Sequence, residues 1–154
     1  MRQFQQGVAR KQVLWRNLDH MAETVLPDIQ GSLVCEDVRM EINGSQTLVG
    51  VINAIIAPKL PIRILKLCIW TRWTSGEGRF SQEARIITPD EDHIVSKNQI
   101  TFQLSGLDAH ATNVHFFGGI QFDQHGPYHV EIRLDDALRL RYPLSVIPAP
   151  LPPP

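Results

Sequence analysis

Apolar and polar residues alternate in short runs between residues 31 and 147, and turn-forming residues break the alternation about every ten positions. Period-two alternation describes a strand with one buried face and one wet face. Strands are predicted on both sides of Asn43-Gly44, then at about 63–74, 80–88, 93–104 and 114–122, and finally on both sides of Asp135-Asp136-Ala137. Eight such strands bury their apolar faces most simply in a two-sheet antiparallel sandwich, with a closed barrel as the second solution.

The hairpins carry register information. Asn-Gly suits the two positive φ angles of a type I′ turn. A two-residue turn there sets Met40 opposite Thr47, Val38 opposite Val49 and Val34 opposite Asn53, a row expected to face the core. In the last hairpin a three-residue loop, Asp135-Asp136-Ala137, pairs Leu134 with Leu138, Ile132 with Leu140 and Val130 with Tyr142, and places Glu131 across from Arg141 on the wet face. Elsewhere the expected inward rows are Leu65, Leu67, Ile69 and Trp73; Phe80, Ala84 and Ile86; Ile94, Ile100, Phe102 and Leu104; and Val114, Phe116, Ile120 and Phe122. The last row is interrupted by Gly118-Gly119, a pair that reads as a bulge or a close backbone approach. This leaves Trp70, Val95 and Phe117 on the wet face.

A chain of 154 residues suits one domain. The reading divides it into a mobile basic N-terminal extension (1–24), a sandwich domain (25–147) and a Pro-rich tail (148–154) of polyproline character. The extension carries Arg2, Arg10, Lys11 and Arg16; its poor helical spacing argues against a docking helix, and Met21 is an alternative start. Fifteen Lys and Arg against 16 Asp and Glu give a net charge of -1, which argues against nucleic acid as a partner. No apolar run approaches the ~18 residues of a membrane helix, and no signal-peptide core follows Met1 or Met21, so a cytoplasmic chain without a membrane partner is expected. Cys35 and Cys68 show no metal-ligand spacing and read as reduced core thiols; whether they lie close enough to pair is left open.

Cys35-Glu36-Asp37-Val38-Arg39-Met40-Glu41, the Asn43-Gly44 turn and Leu48-Val49-Gly50-Val51 resemble the opening of a family of small bacterial proteins catalogued only as a domain of unknown function. Leu60-Pro61, Pro89-Asp90, Gly126-Pro127-Tyr128 and Pro143-Leu144-Ser145-Val146 look like its later landmarks, over about residues 30 to 147. The resemblance implies an all-β, immunoglobulin-like sandwich and carries over no activity, ligand or catalytic residue. Two departures are the basic N-terminal stretch and the Gly-Pro order before Tyr128.

The chemistry-bearing residues are dispersed. Of six histidines, at most His93, His110 and His125 could meet at the sandwich ends, and their spacing argues against a metal site. In Glu36-Asp37-x-Arg39-x-Glu41, Asp37 and Arg39 share a face and can pair, whereas Glu36 falls in an apolar row opposite Val51, where a carboxylate needs a cation or backbone donors. No second inward carboxylate, nucleophile or base accompanies it. The turn Pro89-Asp90-Glu91-Asp92 offers too few ligands for calcium. There is no phosphate loop and no G-x-S-x-G elbow, so the expectation is a non-enzymatic chain with no cofactor and no metal.

The leading expectation is an interaction module that binds a protein partner or a second copy of itself. It would dock through a free strand edge or an aromatic face built from Trp70 and Phe117, with Glu36, Asp37 and Arg39 nearby. The alternative is a small-ligand or carbohydrate-binding sandwich that uses loop-borne aromatics and histidines.

Overall fold

The computed structural model describes residues 23–151 and, among them, contains strands and no helix, hence no helix able to cross a membrane. The expected extension at 1–24 lies almost wholly outside the described residues, as does the end of the tail. Seven strands follow one another: β1 (Asp28–Met40), β2 (Gln46–Val51), β3 (Ala54–Ile56), β4 (Ile62–Ile87), β5 (Ile94–Phe122), β6 (Gly126–Leu134) and β7 (Ala137–Ile147).

Two of these are very long, and they organise the rest. β4 and β5 form one antiparallel hairpin that pairs from Ile62↔Phe122 to Ile87↔Ile94. On its other side β4 pairs first with β1, from Asp28↔Thr74 to Cys35↔Cys68, and then with β6, from Gln82↔Leu134 to Ile87↔His129. One hairpin therefore serves two sheets. The first runs β2, β1, the first half of β4, the second half of β5; the other runs the first half of β5, the second half of β4, β6, β7, β3. Among the described strands only β3 and β7 pair in parallel, Ala54↔Ser145 to Ile56↔Ile147.

The ladder bends where the sequence is richest in small residues. Its register shifts between Thr74 and Gly76, and Ser75 takes a φ of 60°. A Cβ on Gly76 would stand 2.7 Å from Pro27 Cβ, so only glycine lets the chain ahead of β1 lie this close. The bend brings the halves face to face. Trp73 stacks on Phe102 at 5.9 Å and donates its indole N–H to Gln82 Oε1 at 2.6 Å, and Ser32 Oγ lies 3.1 Å from Tyr142 Oη. Between the sheets lies a single core that includes Leu67, Ile69, Phe80, Ile86, Leu104, Tyr128, Ile132 and Leu144.

The all-β sandwich expected from alternation is present. The four strands expected at 63–74, 80–88, 93–104 and 114–122 are the halves of β4 and β5. Ser75-Gly76-Glu77-Gly78 has the composition of a turn and acts as a bend, because both flanking halves continue to pair with β5.

Register departs from expectation at several points. At Asn43-Gly44 only Gly44 has positive φ (82°), and Glu41 N–H donates to Ser45 O at 2.8 Å. The loop is thus the three residues Ile42-Asn43-Gly44, and β2 slips by one: Met40 faces Gln46, Val38 faces Leu48, and Val34 O accepts from Ile52 N–H. In the last hairpin Asp135 and Asp136 both have positive φ (45° and 68°), so the turn has two residues and pairs Leu134 with Ala137. An irregularity between Ile132 and Arg133 absorbs the difference, which is why Ile132↔Leu140, Glu131↔Arg141 and Val130↔Tyr142 pair as expected. Leu138, expected inside, is half exposed. Leu65 is also exposed and Phe116 points out, because Gly119 (φ 64°) turns the row over. Ile94 is exposed and Val95 packs on the core, beside the register shift at Ile86/Ile87.

Candidate functional site

Cross-strand partners in a sheet share a face, so register maps the surface rung by rung. On the outer face of the first sheet one rung reads Val51, Cys35, Cys68, Phe116, from β2 across β1 and β4 to β5. The next reads Leu33, Trp70, Val114. Both rungs are wholly apolar and exposed at their margins, with Leu33 43%, Val51 47% and Phe116 53% exposed, while Trp70 and Val114 are partly covered and Cys35 and Cys68 are buried. Beyond them Arg72 lies between Gly31 and Thr112 on one side, and Asp37 pairs with Lys66 on the other.

Local contacts fix this surface. Trp70 lies over Gly31, with its ring 3.6 Å from where a Cβ would be, and its indole N–H donates to Gln46 Oε1 at 2.8 Å. Lys66 Nζ sits 5.5 Å from the centroid of the Phe116 ring. The hydrogen bond from Lys66 holds the Asp37 carboxyl below its ordinary range, and the same bond raises the Lys66 ammonium. Arg39 Nε lies 3.8 Å from Asp37 Oδ2, the pair expected from their spacing.

Two expected site residues lie elsewhere. Phe117 is 4% exposed and stacks on His115 in the core, so its neighbour Phe116 holds the outer position beside Trp70. The alternation counted back from Phe122 and Ile120 fails across Gly118-Gly119; the glycines themselves were the available signal. Glu36 is exposed instead of standing in an apolar row, and its side chain crowds Gly50, where a Cβ would come 2.7 Å from Glu36 Cδ. It borders a cleft of about 490 Å³ with Ile52, Ile55, Ile64 and Lys66. The slip of β2 and the φ of 63° at Gly50 remove the geometry that opposed Glu36 to Val51, which faces Cys35 instead.

Cys35 and Cys68 are directly opposite each other and fully buried, and Cys68 Sγ donates to Glu36 O at 3.7 Å. Burial pushes the Cys35 thiol up to about 11 and raises Cys68 as well. They are buried on the outer face, not in the main core.

The interior holds polar residues that alternation does not advertise. Asn113 donates to Gln82 Oε1 at 2.7 Å, sharing that oxygen with Trp73. His115 is fully buried, and neither ring nitrogen finds a partner among the described residues. Burial lowers it to about 4. On the other sheet Glu131, expected to be wet, is 4% exposed beneath Arg85, Arg133 and Arg141.

His93, His110 and His125 do not converge. His110 Nδ1 meets Thr74 Oγ1 at 3.1 Å near the bend, and His125 Nε2 lies 3.0 Å from Ala57 O. His93 borders a cleft of about 480 Å³ with Asp90, Asp123 and Tyr128. Among the described residues no three His, Cys, Asp or Glu side chains form a group able to hold a metal.

A search of curated proteins finds none that matches. Among solved structures the chain is similar to an immunoglobulin-like protein from Pseudomonas aeruginosa, at 15% identity and a TM-score of 0.37, over 82% of this chain and 100% of that one. A family model described as Family of unknown function (DUF6941) matches residues 30–147, and with most of its length so covered the chain belongs to that family.

Proposed function

We propose that this chain is a non-catalytic module that associates with a second copy of itself through the outer face of the first sheet. The observation that carries the reading is the exposure of Leu33, Val51 and Phe116 at the margins of two wholly apolar rungs, Leu33-Trp70-Val114 and Val51-Cys35-Cys68-Phe116. Contiguous exposed apolar surface with a polar rim marks interfaces in soluble proteins.

A second copy suits this surface for two reasons. Among the described residues the stripe runs to a strand edge, since β5 pairs there with β4 alone and carries Phe116 on that edge. Its border carries charges of both signs, Lys66, Arg72 and Arg39 against Asp37, so a twofold contact can set a cation of one copy against an anion of the other.

Light scattering on the full chain over a range of concentrations tests the reading. A dimer is expected, weakened at least tenfold by Phe116→Glu or Leu33→Glu without loss of fold. A monomer at all concentrations, or a dimer indifferent to both changes, refutes it.

A second reading rests on the cleft where His93, Asp90 and Asp123 meet Tyr128, which offers polar groups to a small ligand. A thermal-shift screen against sugars, nucleotides and divalent ions tests it, since a specific ligand raises the melting temperature by mass action.

A further inference from the structure

We propose that Cys35 and Cys68 are a disulfide-forming pair that staples β1 to β4 beneath the outer apolar stripe. The proposal rests on register and burial and is independent of any partner. The two residues are cross-strand partners on one face, and both are fully buried there. Directly opposed residues of antiparallel strands have Cα atoms about 4.5–5.5 Å apart. Disulfides span about 4.4–6.8 Å. The Cα spacing therefore suits the bond, and closing it draws the two Cβ atoms slightly together.

The staple joins strands distant in sequence but adjacent in the sheet, and it encloses about 33 residues, including β2 and β3. It ties together the rungs that form the stripe: Leu33 with Trp70, and Val51 with Phe116.

The reaction is thiol–disulfide exchange with a small disulfide or a disulfide-bearing oxidase. One cysteine thiolate attacks the oxidant's S–S bond, releases one thiol and leaves a mixed disulfide. The second cysteine displaces the other half. The two cysteines lose two electrons and two protons, and the oxidant is reduced to two thiols.

Burial decides when this happens. Both thiols are fully buried, and at neutral pH the Cys35 thiolate is scarce in the folded chain. Exchange in the native state should run at least ~100-fold more slowly than in the unfolded chain. The staple thus forms as the chain folds, where the compartment supplies an oxidant.

The test is to refold the full chain from denaturant in mixed reduced and oxidised glutathione. The expected product has lost two hydrogens in intact mass, yields one linked peptide containing Cys35 and Cys68, and melts about 5–10 °C above the reduced chain. Cys35→Ser should form no such link. Two free thiols after refolding, a persistent glutathione adduct or a link between chains would each overturn the proposal. So would a linked chain that melts no higher than the reduced one.

Discussion

Glu131 lies 2.6 Å from Arg85 Nη2 across the β4–β6 ladder, with Arg141 Nη1 3.6 Å away on β7, and the carboxylate is almost wholly shielded from water. Arg133 completes the set at 3.9 Å. Removing one partner of a shielded ion pair leaves the others uncompensated and costs ~3–5 kcal/mol. The three guanidiniums here keep some contact with water, which lowers the figure. Glu131→Ala is expected to cost about 2–3 kcal/mol in urea denaturation, whereas Glu83→Ala, whose pairs stretch to 3.8 and 4.0 Å, should cost at most ~1 kcal/mol.

His115 makes stability depend on pH. Its folded value of about 4 lies below the ordinary 6.5 because burial disfavours the charged ring. The unfolded chain takes up a proton below pH ~6.5 while the folded chain does not, so stability falls as pH drops from ~6.5 and stops falling near ~4. The shift amounts to about 3 kcal/mol at the acid end. His115→Leu should flatten the pH profile between 7 and 4 relative to the parent by that amount. Parallel profiles would show that His115 is not held neutral.

Phe116 and Phe117 are adjacent and should respond oppositely. Phe117→Ala opens a cavity against the His115 ring and should cost ~3–5 kcal/mol, while Phe116→Ala on the open face should cost no more than ~1 kcal/mol. The reverse order in chemical denaturation would restore the alternation that counts from Phe122.

That pair of phenylalanines marks what the sequence could reveal. Alternation identified the inward Leu67, Ile69, Trp73, Phe80, Ala84 and Ile86, because a run of strand without irregularity keeps its phase. Phase is lost wherever a residue leaves the extended conformation, as at Gly119, Gly50 and Gly44, and every misplaced side chain noted above lies near a turn or a phase break. Trp70 was legible as an outer residue; Phe116 and the uncovered Leu33 and Val51 were not, since their faces depend on those breaks. The Cys35–Cys68 contact was illegible for another reason. It joins β1 to β4 across two intervening strands, and periodicity carries no information about which strands are neighbours.

The last turn offers a test of the two-residue loop. Asp136 has a φ of 68°, a conformation that costs a residue with a Cβ ~1 kcal/mol or more and costs glycine nothing. Asp135 is different: its backbone N–H donates to Ser81 O at 2.9 Å and its Oδ1 accepts from Ser81 N–H at 2.9 Å, so its side chain anchors the turn against β4. Asp136→Gly should therefore stabilise the chain by ~0.5–1 kcal/mol, despite the extra freedom it gives the unfolded state. Asp136→Val, with a branched Cβ in the left-handed region, should destabilise it by more than 1 kcal/mol. Asp135→Gly should gain little or lose, because it sacrifices the bond to Ser81. The three midpoints in one denaturation series separate the two loop geometries. In a three-residue loop with its left-handed position at Ala137, Ala137→Gly would stabilise and Asp136→Gly would not.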